Sequence, residues 1–96
     1  MGLINHIGLI FMPIRVRVRN AETGSTVDME MENENTMEEI VRGAAGFWHK
    51  DPGAYVLRRG KKLLRGTQTV LEVGLKDDDE LELIPDPEGG YRAPPQ

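Results

Sequence analysis

Two consecutive segments of this chain alternate strictly between apolar and charged side chains. Residues 14–19 set three apolar side chains against three arginines, and residues 27–32 set three apolar side chains against three acids. Such alternation predicts strands that are half buried. The apolar set is Ile14, Val16, Val18, Val27, Met29 and Met31, and the charged set is Arg15, Arg17, Arg19, Asp28, Glu30 and Glu32. Because the residues from Asn20 to Gly24 have turn chemistry, the two segments are predicted to form a hairpin.

The charges of the two strands complement each other across this hairpin. If Arg17 faces Asp28, the same register places Arg15 opposite Glu30. An arginine row can indicate a nucleic-acid surface, but acidic partners on the next strand favour charge pairing within the sheet. The net charge of the chain is −4, which also argues against binding nucleic acid through its phosphates. We therefore expect no nucleic-acid partner.

The length and composition restrict the chemistry that the chain can carry. It has 96 residues, which fits one domain with a small core and little room for an internal active site. It has no cysteine, which excludes disulfides, thiolate metal sites and a cysteine nucleophile. The two histidines, His6 and His49, would need carboxylates to complete a zinc site. We predict no cofactor, no metal and no enzyme activity.

The first twelve residues are rich in apolar side chains but lack the features of a targeting segment. No basic residue precedes the apolar run, as a secretory signal requires. Pro13 and Arg15 end the run well before the roughly 20 residues that a membrane-spanning helix needs. We expect residues 1–12 to be a flexible N-terminal extension, and the protein to be a cytoplasmic monomer with no membrane partner.

The middle of the chain predicts one principal helix. Thr36 followed by Glu39 is a capping box, which places the start of the helix at this point. Ile40, Ala44 and Phe47 are predicted to share the apolar face of this helix, because they recur at helical spacing.

Three further strands and one helical turn follow the helix. We expect strands at 54–59, 62–64 and 80–84, and a helical turn at 70–73 that Thr69 caps. Pro85 and Pro87 lack N–H donors, so we expect the chain to leave the sheet after residue 84.

This order of elements predicts an α+β domain. If the first and last strands lie side by side and parallel in the middle of a mixed sheet of four or five strands, one helix can cover the apolar face. That is the β-grasp arrangement. We expect the domain to span residues 13–86 and a flexible tail to span 87–96.

Three segments resemble ubiquitin, and together the resemblance covers about residues 14–90. They are Val56 to Leu63, which includes the Gly60-Lys61 pair; Asp79 to Ile84, followed at the same spacing by Gly89-Gly90; and Thr36 to Ile40. The resemblance implies a protein modifier whose glycine carboxylate is adenylated, passed to a thiol and then joined to a target amine. Because Gly90 is not the last residue, it also implies a precursor from which a peptidase removes Tyr91 to Gln96.

The resemblance further implies a recognition surface and acceptor sites. Leu57 and Ile84 match two apolar members of the ubiquitin recognition patch, and Glu82 stands where ubiquitin has a histidine. Lys61 matches a lysine that ubiquitin uses for chains, and its neighbour Lys62 is a second candidate acceptor. The expected partners are protein targets, activating and conjugating enzymes, and a tail-processing peptidase.

The tail also departs from ubiquitin. Asp86 and Glu88 replace the basic residues of the ubiquitin tail, so the resemblance implies a dedicated activating enzyme. Two other functions stay open from the sequence. One is a non-covalent ubiquitin-like binding or accessory subunit that never uses its tail. The other is a sulfur carrier, although such proteins usually end at Gly-Gly and this chain continues for six residues.

Overall fold

Residues 13–87, the part of the chain that this computed structural model describes, contain five strands and two α-helices. The strands are β1 (Ile14–Asn20), β2 (Thr26–Met31), β3 (Tyr55–Arg59), β4 (Lys62–Leu64) and β5 (Asp79–Pro85). The helices are α1 (Met37–Phe47) and α2 (Val70–Val73), and a 3₁₀ turn spans Pro52–Ala54. The predicted extension, residues 1–12, lies outside the described residues.

The five strands form one mixed sheet in the order β2-β1-β5-β3-β4. The central strands β1 and β5 are parallel, and the other neighbouring pairs are antiparallel. In the hairpin, Arg17 lies opposite Asp28 and Arg15 opposite Glu30, as predicted. The architecture is therefore an α+β β-grasp, and the prediction of the fold is confirmed.

One face of the sheet packs against α1 to form the core. Val16 and Val18 of β1 and Leu81 and Leu83 of β5 have no exposed surface. They meet the buried residues of α1, which are Met37, Ile40, Val41, Ala44 and Ala45.

The predicted inward position of Phe47 is wrong, since 60% of its surface is exposed. At about 100° per residue, the buried stripe of α1 is centred on Met37, Val41 and Ala44. Phe47 falls at the margin of this stripe, in the last position of the helix.

The N-termini of the two helices cap each other. Thr36 and Thr69 each form a complete capping box, with Glu39 and Glu72 respectively. The loop before α2 also accepts hydrogen bonds from α1: Met37 N–H donates to the Gln68 carbonyl at 2.9 Å and Glu38 N–H to the Gly66 carbonyl at 3.0 Å.

In the same way, the loop before α1 accepts hydrogen bonds from the first turn of α2. Val70 N–H donates to the Asn35 carbonyl at 2.8 Å and Leu71 N–H to the Asn33 carbonyl at 3.2 Å. The first-turn donors that a helix cannot satisfy internally are thus shared between two loops far apart in sequence.

The sheet continues one residue further than predicted. Pro85 belongs to β5 and lies opposite Tyr55, and the next residue, Asp86, donates its N–H to the Ala54 carbonyl at 3.0 Å. Opposing residues of antiparallel strands alternate between hydrogen-bonded and non-hydrogen-bonded pairs. Pro85 occupies a position where no N–H is needed, so the expectation that it would end the strand was wrong.

Gly46 and Gly60 allow a matched test of backbone conformation. A Cβ added at either position meets no atom within 4 Å, but Gly60 has a φ of +63° whereas Gly46 lies within α1. Gly46→Ala should raise the free energy of unfolding by about 0.5–1 kcal/mol through helix propensity, and Gly60→Ala should lower it by about 1 kcal/mol through strain. Urea denaturation of both variants measures the difference. Equal effects would show that φ does not decide the outcome.

Candidate protein-binding face

The face of the sheet opposite α1 carries a row of side chains that crosses all five strands. In register, Thr26 of β2 lies opposite Arg19 of β1, and Arg19 opposite Glu82 of β5. Glu82 in turn lies opposite Arg58 of β3, and Arg58 opposite Leu63 of β4. Directly opposed residues share one face of a sheet, so these five side chains form a continuous row. We call this side of the sheet the outer face.

Glu82 lies at the centre of this row and accepts hydrogen bonds from two arginines, one on each neighbouring strand. Its Oε1 accepts a hydrogen bond from Arg58 Nε at 3.1 Å, and its Oε2 accepts one from Arg19 Nη1 at 3.0 Å. The hydrogen bonds from Arg58, with the nearby charges of Arg58 and Arg19, lower the pKa of Glu82. Both carboxylate oxygens are therefore occupied, and two guanidinium groups flank one carboxylate.

A second pair of charges lies on the same face towards β2. Arg17 donates from Nε to Asp28 Oδ1 at 2.9 Å, and this hydrogen bond lowers the pKa of Asp28. Of the two charge pairs predicted across the hairpin, Arg17–Asp28 is formed. Arg15 and Glu30 lie opposite each other in register but make no ion pair within the described residues. Arg19, for which the sequence suggested no partner, pairs with Glu82 of β5.

Apolar side chains adjoin the charged row at the β3–β4 side. Ile84 of β5 lies opposite Val56 of β3, one alternation away from Glu82 and Arg58. The exposed apolar surface comes from Leu63, which is 41% exposed, and from half-buried Val56. Ile84 is on the same face but is buried, with 9% of its surface exposed. The outer face therefore combines a polar row with a small apolar area, the composition of many recognition surfaces.

Of the three residues predicted to form the binding patch, the structure brings two together. Glu82 and Ile84 lie at alternate positions of β5, so both belong to the outer face. The placement of Leu57 was wrong, because Leu57 has no exposed surface and packs in the core opposite Leu83 and Leu64. Its side chain points to the α1 side of the sheet.

Sequence reasoning missed Val56 and Leu63 as members of the outer face. In the segment Tyr55-Val56-Leu57-Arg58-Arg59, adjacent Val56 and Leu57 are both apolar, so alternation within β3 does not say which one faces inward. The signal that could have found them was the charge of Glu82. A carboxylate on the outer face favours a cationic partner there, which places Arg58 on the outer face, and Val56 follows because it is two residues before Arg58 in the same strand.

The two candidate acceptor lysines lie at the β3–β4 hairpin. Lys61 follows Gly60 in the connection, Lys62 opens β4, and both are exposed. The predicted conjugation and processing residues, Gly89, Gly90 and Tyr91, lie outside the described residues.

Within residues 13–87, no group of three or more His, Asp or Glu side chains could hold a metal ion. The acidic segment that leads into β5, Asp77 to Asp79, makes hydrogen bonds within the domain. Asp77 Oδ1 accepts from Arg15 N–H at 2.7 Å, and Asp79 Oδ2 accepts from Lys76 N–H at 2.9 Å and from Arg59 Nη2 at 2.8 Å. None of the described helices has the length and apolar character needed to cross a membrane.

Comparison with known proteins identifies the fold. The chain is similar to Caldiarchaeum subterraneum ubiquitin, with a TM-score of 0.71 and 22% identity over 81% of this chain and 99% of that one. It is similar to a designed protein based on ubiquitin, with a TM-score of 0.72 and 19% identity over 83% and 96% of the two chains.

A third similar structure is ATBAG1 in complex with HSP70, with a TM-score of 0.68 and 20% identity over 77% of this chain but 41% of that one. No family model matches the sequence, and no curated protein matches it. The chain has a ubiquitin-like β-grasp fold.

Leu57 and Leu63 provide a matched test of which face each leucine occupies. Leu57→Ala removes a fully buried side chain and should lower the free energy of unfolding by about 2–5 kcal/mol. Leu63→Ala removes a side chain that is 41% exposed and should cost less than about 1 kcal/mol. Thermal or urea unfolding of both variants compares them. A larger loss for Leu63 would contradict the assignment of the faces.

The Glu82 bridge should contribute to stability in a pH-dependent way. Because the folded state lowers the pKa of this carboxyl, its contribution is present above the pKa of the unfolded chain, about 4.3, and is lost as pH falls through the folded-state pKa. Glu82→Gln should cost about 1 kcal/mol at pH 7 and should weaken the loss of stability below about pH 5.

Glu80→Gln is the control for this measurement. Glu80 lies on the same strand and face, opposite Arg17, where its charge acts on the Arg17 guanidinium without a hydrogen bond between them. Urea unfolding between pH 3 and 7 compares the wild type with both variants. An equal acid dependence in the wild type and Glu82→Gln would show that the bridge does not carry this contribution.

Proposed function

We propose that this chain is a ubiquitin-like protein modifier, made as a precursor, processed after Gly90 and joined through the Gly90 carboxylate to target amines. The observation that carries the proposal is the position of Gly89-Gly90, which begins four residues after β5 ends at Pro85. The fold supports it, because β5 is a central strand of a ubiquitin-like sheet and the glycine pair follows this strand closely in the sequence. A glycine pair lacks Cβ atoms and suits passage into a narrow enzyme channel.

The outer face is the proposed surface for the partners of the modifier. Glu82 and Ile84 belong to it, together with Val56, Arg58 and Leu63, and Leu57 does not. Arg58, Glu82 and Arg19 occupy its centre, so a partner would meet paired charges beside an apolar area. Such a surface favours a partner that combines apolar contacts with polar groups able to exchange with the arginine–carboxylate pairs.

The enzymes that act on the tail would be specific to it. Asp86 and Glu88 give the arm an acidic character, so a channel with basic side chains would accept it and an acidic channel would not. The proposal includes an activating enzyme, a conjugating enzyme and a peptidase of this kind, acting in the cytoplasm. Lys61 and Lys62 are the proposed acceptors for chains, since both amines are exposed at one hairpin.

The intact mass of the protein recovered from its own host tests the modifier. We expect loss of the six residues Tyr91 to Gln96 and heavier species whose extra mass is that of a joined protein. Gly90→Ala should abolish the heavier species, because the carboxylate is then carried by a residue with a Cβ. A Gly2→Ala variant is the control. A full-length tail without adducts would refute the proposal.

A non-covalent binding subunit is the second candidate function. It is favoured by the similarity to ATBAG1 in complex with HSP70, where the matched region is 41% of that chain and so forms one part of a larger binding protein. For this function the outer face is sufficient and the tail is dispensable. Deleting residues 89–96 should then leave partner binding unchanged, whereas a modifier loses its activity.

A further inference from the structure

A groove opens at the edge of the sheet where β4 ends. It has a volume of about 460 Å³ and is lined on its apolar side by Met37, Val41, Tyr55, Val56 and Leu64. A second concavity of about 530 Å³ extends it around the edge and shares Val56 and Leu64. Together they run from the α1 side of the sheet to the outer face, and we call them the edge groove.

The edge groove exists because β4 is shorter than β3. The last residue pair of the two strands is Leu57 with Leu64, so Tyr55 and Val56 have no neighbour on this side. The chain beyond Leu64 turns away because Gly66 and Gln68 supply the carbonyls that cap α1. Helix capping therefore removes the residues that would otherwise cover this part of the sheet.

The backbone of the edge groove offers a hydrogen-bond acceptor. The Ala54 carbonyl faces β5, since it accepts from Asp86 N–H at 3.0 Å. Successive carbonyls of a strand point in opposite directions, so the Tyr55 carbonyl faces the groove. The adjacent Tyr55 N–H is already bonded to the Pro52 carbonyl.

The chain leaves the described domain at the rim of this groove. Asp86 lines both concavities, and Pro87 is the last described residue. Tyr91 follows four residues later, which allows a reach of up to about 14 Å. The width of one strand is about 4.8 Å and the separation of packed layers about 10 Å, so Tyr91 is within reach of the groove.

The chemistry of the segment matches that of the groove. Tyr91 is the one aromatic residue after Pro87, and it combines an apolar ring with a hydrogen-bonding tip. Arg92 is the one basic residue of that segment, and Glu38 lines the groove. Arg42 Nη2 donates to Glu38 Oε2 at 2.7 Å, so Arg92 would approach the other oxygen of this carboxylate. Gly89 and Gly90 permit the change of direction that returns the chain to the domain.

We propose that the edge groove is the docking site of the protein's own C-terminal segment, with the Tyr91 ring against Val41, Val56 and Leu64 and the Arg92 guanidinium near Glu38. Docking holds Gly89 and Gly90 against the domain in the unprocessed chain. Removal of Tyr91 to Gln96 vacates the groove, so a partner that binds there distinguishes the processed protein from its precursor. This consequence rests on the proposed function, whereas the docking itself does not.

Methyl NMR spectra of the purified full-length protein and of a chain ending at Gly90 test the docking. The methyl signals of Val41, Val56 and Leu64 should differ between the full-length and shortened proteins. The controls are Val27 on β2, the edge strand opposite β4, and Val73 on α2. Their signals should coincide in the two proteins. Tyr91→Ala in the full-length chain should move the groove signals to the positions of the shortened chain. Tyr91→Phe should leave them near the full-length positions.

Charge reversal tests the role of the arginine. Arg92→Glu should shift the groove signals partway towards the shortened chain, and combining it with Glu38→Arg should restore them. Coincident groove signals in the full-length and shortened chains would overturn the proposal, and so would differences that vanish on dilution, which indicate docking onto a second copy. Since the samples contain no processing or conjugating enzyme, the result is independent of whether the protein is a modifier.

Discussion

The parallel pairing of β1 and β5 is the interaction on which the rest of this structure depends. It joins residues more than sixty positions apart in sequence, as in the pair Val18 and Leu81. The four core residues that it contributes, Val16, Val18, Leu81 and Leu83, are completely buried. Because a parallel pair cannot be closed by a tight turn, the whole intervening chain must fold around it. The hairpin partner β2 then lies on one side and β3 on the other, and α1 covers the face that remains apolar.

The shared capping of the two helices explains both the stability of the connections and the gap at the sheet edge. The loops before α1 and α2 satisfy each other's first-turn donors through four backbone hydrogen bonds. For Gly66 and Gln68 to cap α1, the chain must leave the edge of the sheet after Leu64. The strand β4 therefore has only three residues. The domain thus gains two capped helix ends, and two positions of β3, Tyr55 and Val56, have no strand neighbour on the β4 side. The edge groove results because the backbone after Leu64 bonds to the first turn of α1 and does not extend β4 along β3.

The outer face combines features that were readable from the sequence with others that were not. The alternation of β1 and β5 places Arg19, Glu82 and Ile84 on one face, and this followed from a period of two. The position of β3 did not follow, since Val56 and Leu57 are both apolar and a shift of one residue exchanges the faces. Pairing with Leu83 and Leu64 decides the register, and it moves Leu57 into the core. A recognition surface inferred from residue matches is therefore only as reliable as the register of each strand.

Local signals in the sequence determined the elements of this protein. Alternation predicted the hairpin, the Thr36–Glu39 capping box and the cap residue Thr69 predicted the starts of the two helices, and the apolar faces predicted a β-grasp sheet with β1 beside β5. Tertiary structure alone decided three further points: Phe47 lies outside the buried stripe, Pro85 remains in the sheet, and Leu57 faces the core. Each depends on what lies opposite a residue in space. The secondary-structure propensity of a residue can be read from the local sequence. Whether its side chain is buried, paired or exposed depends on neighbours in space that are distant in the sequence.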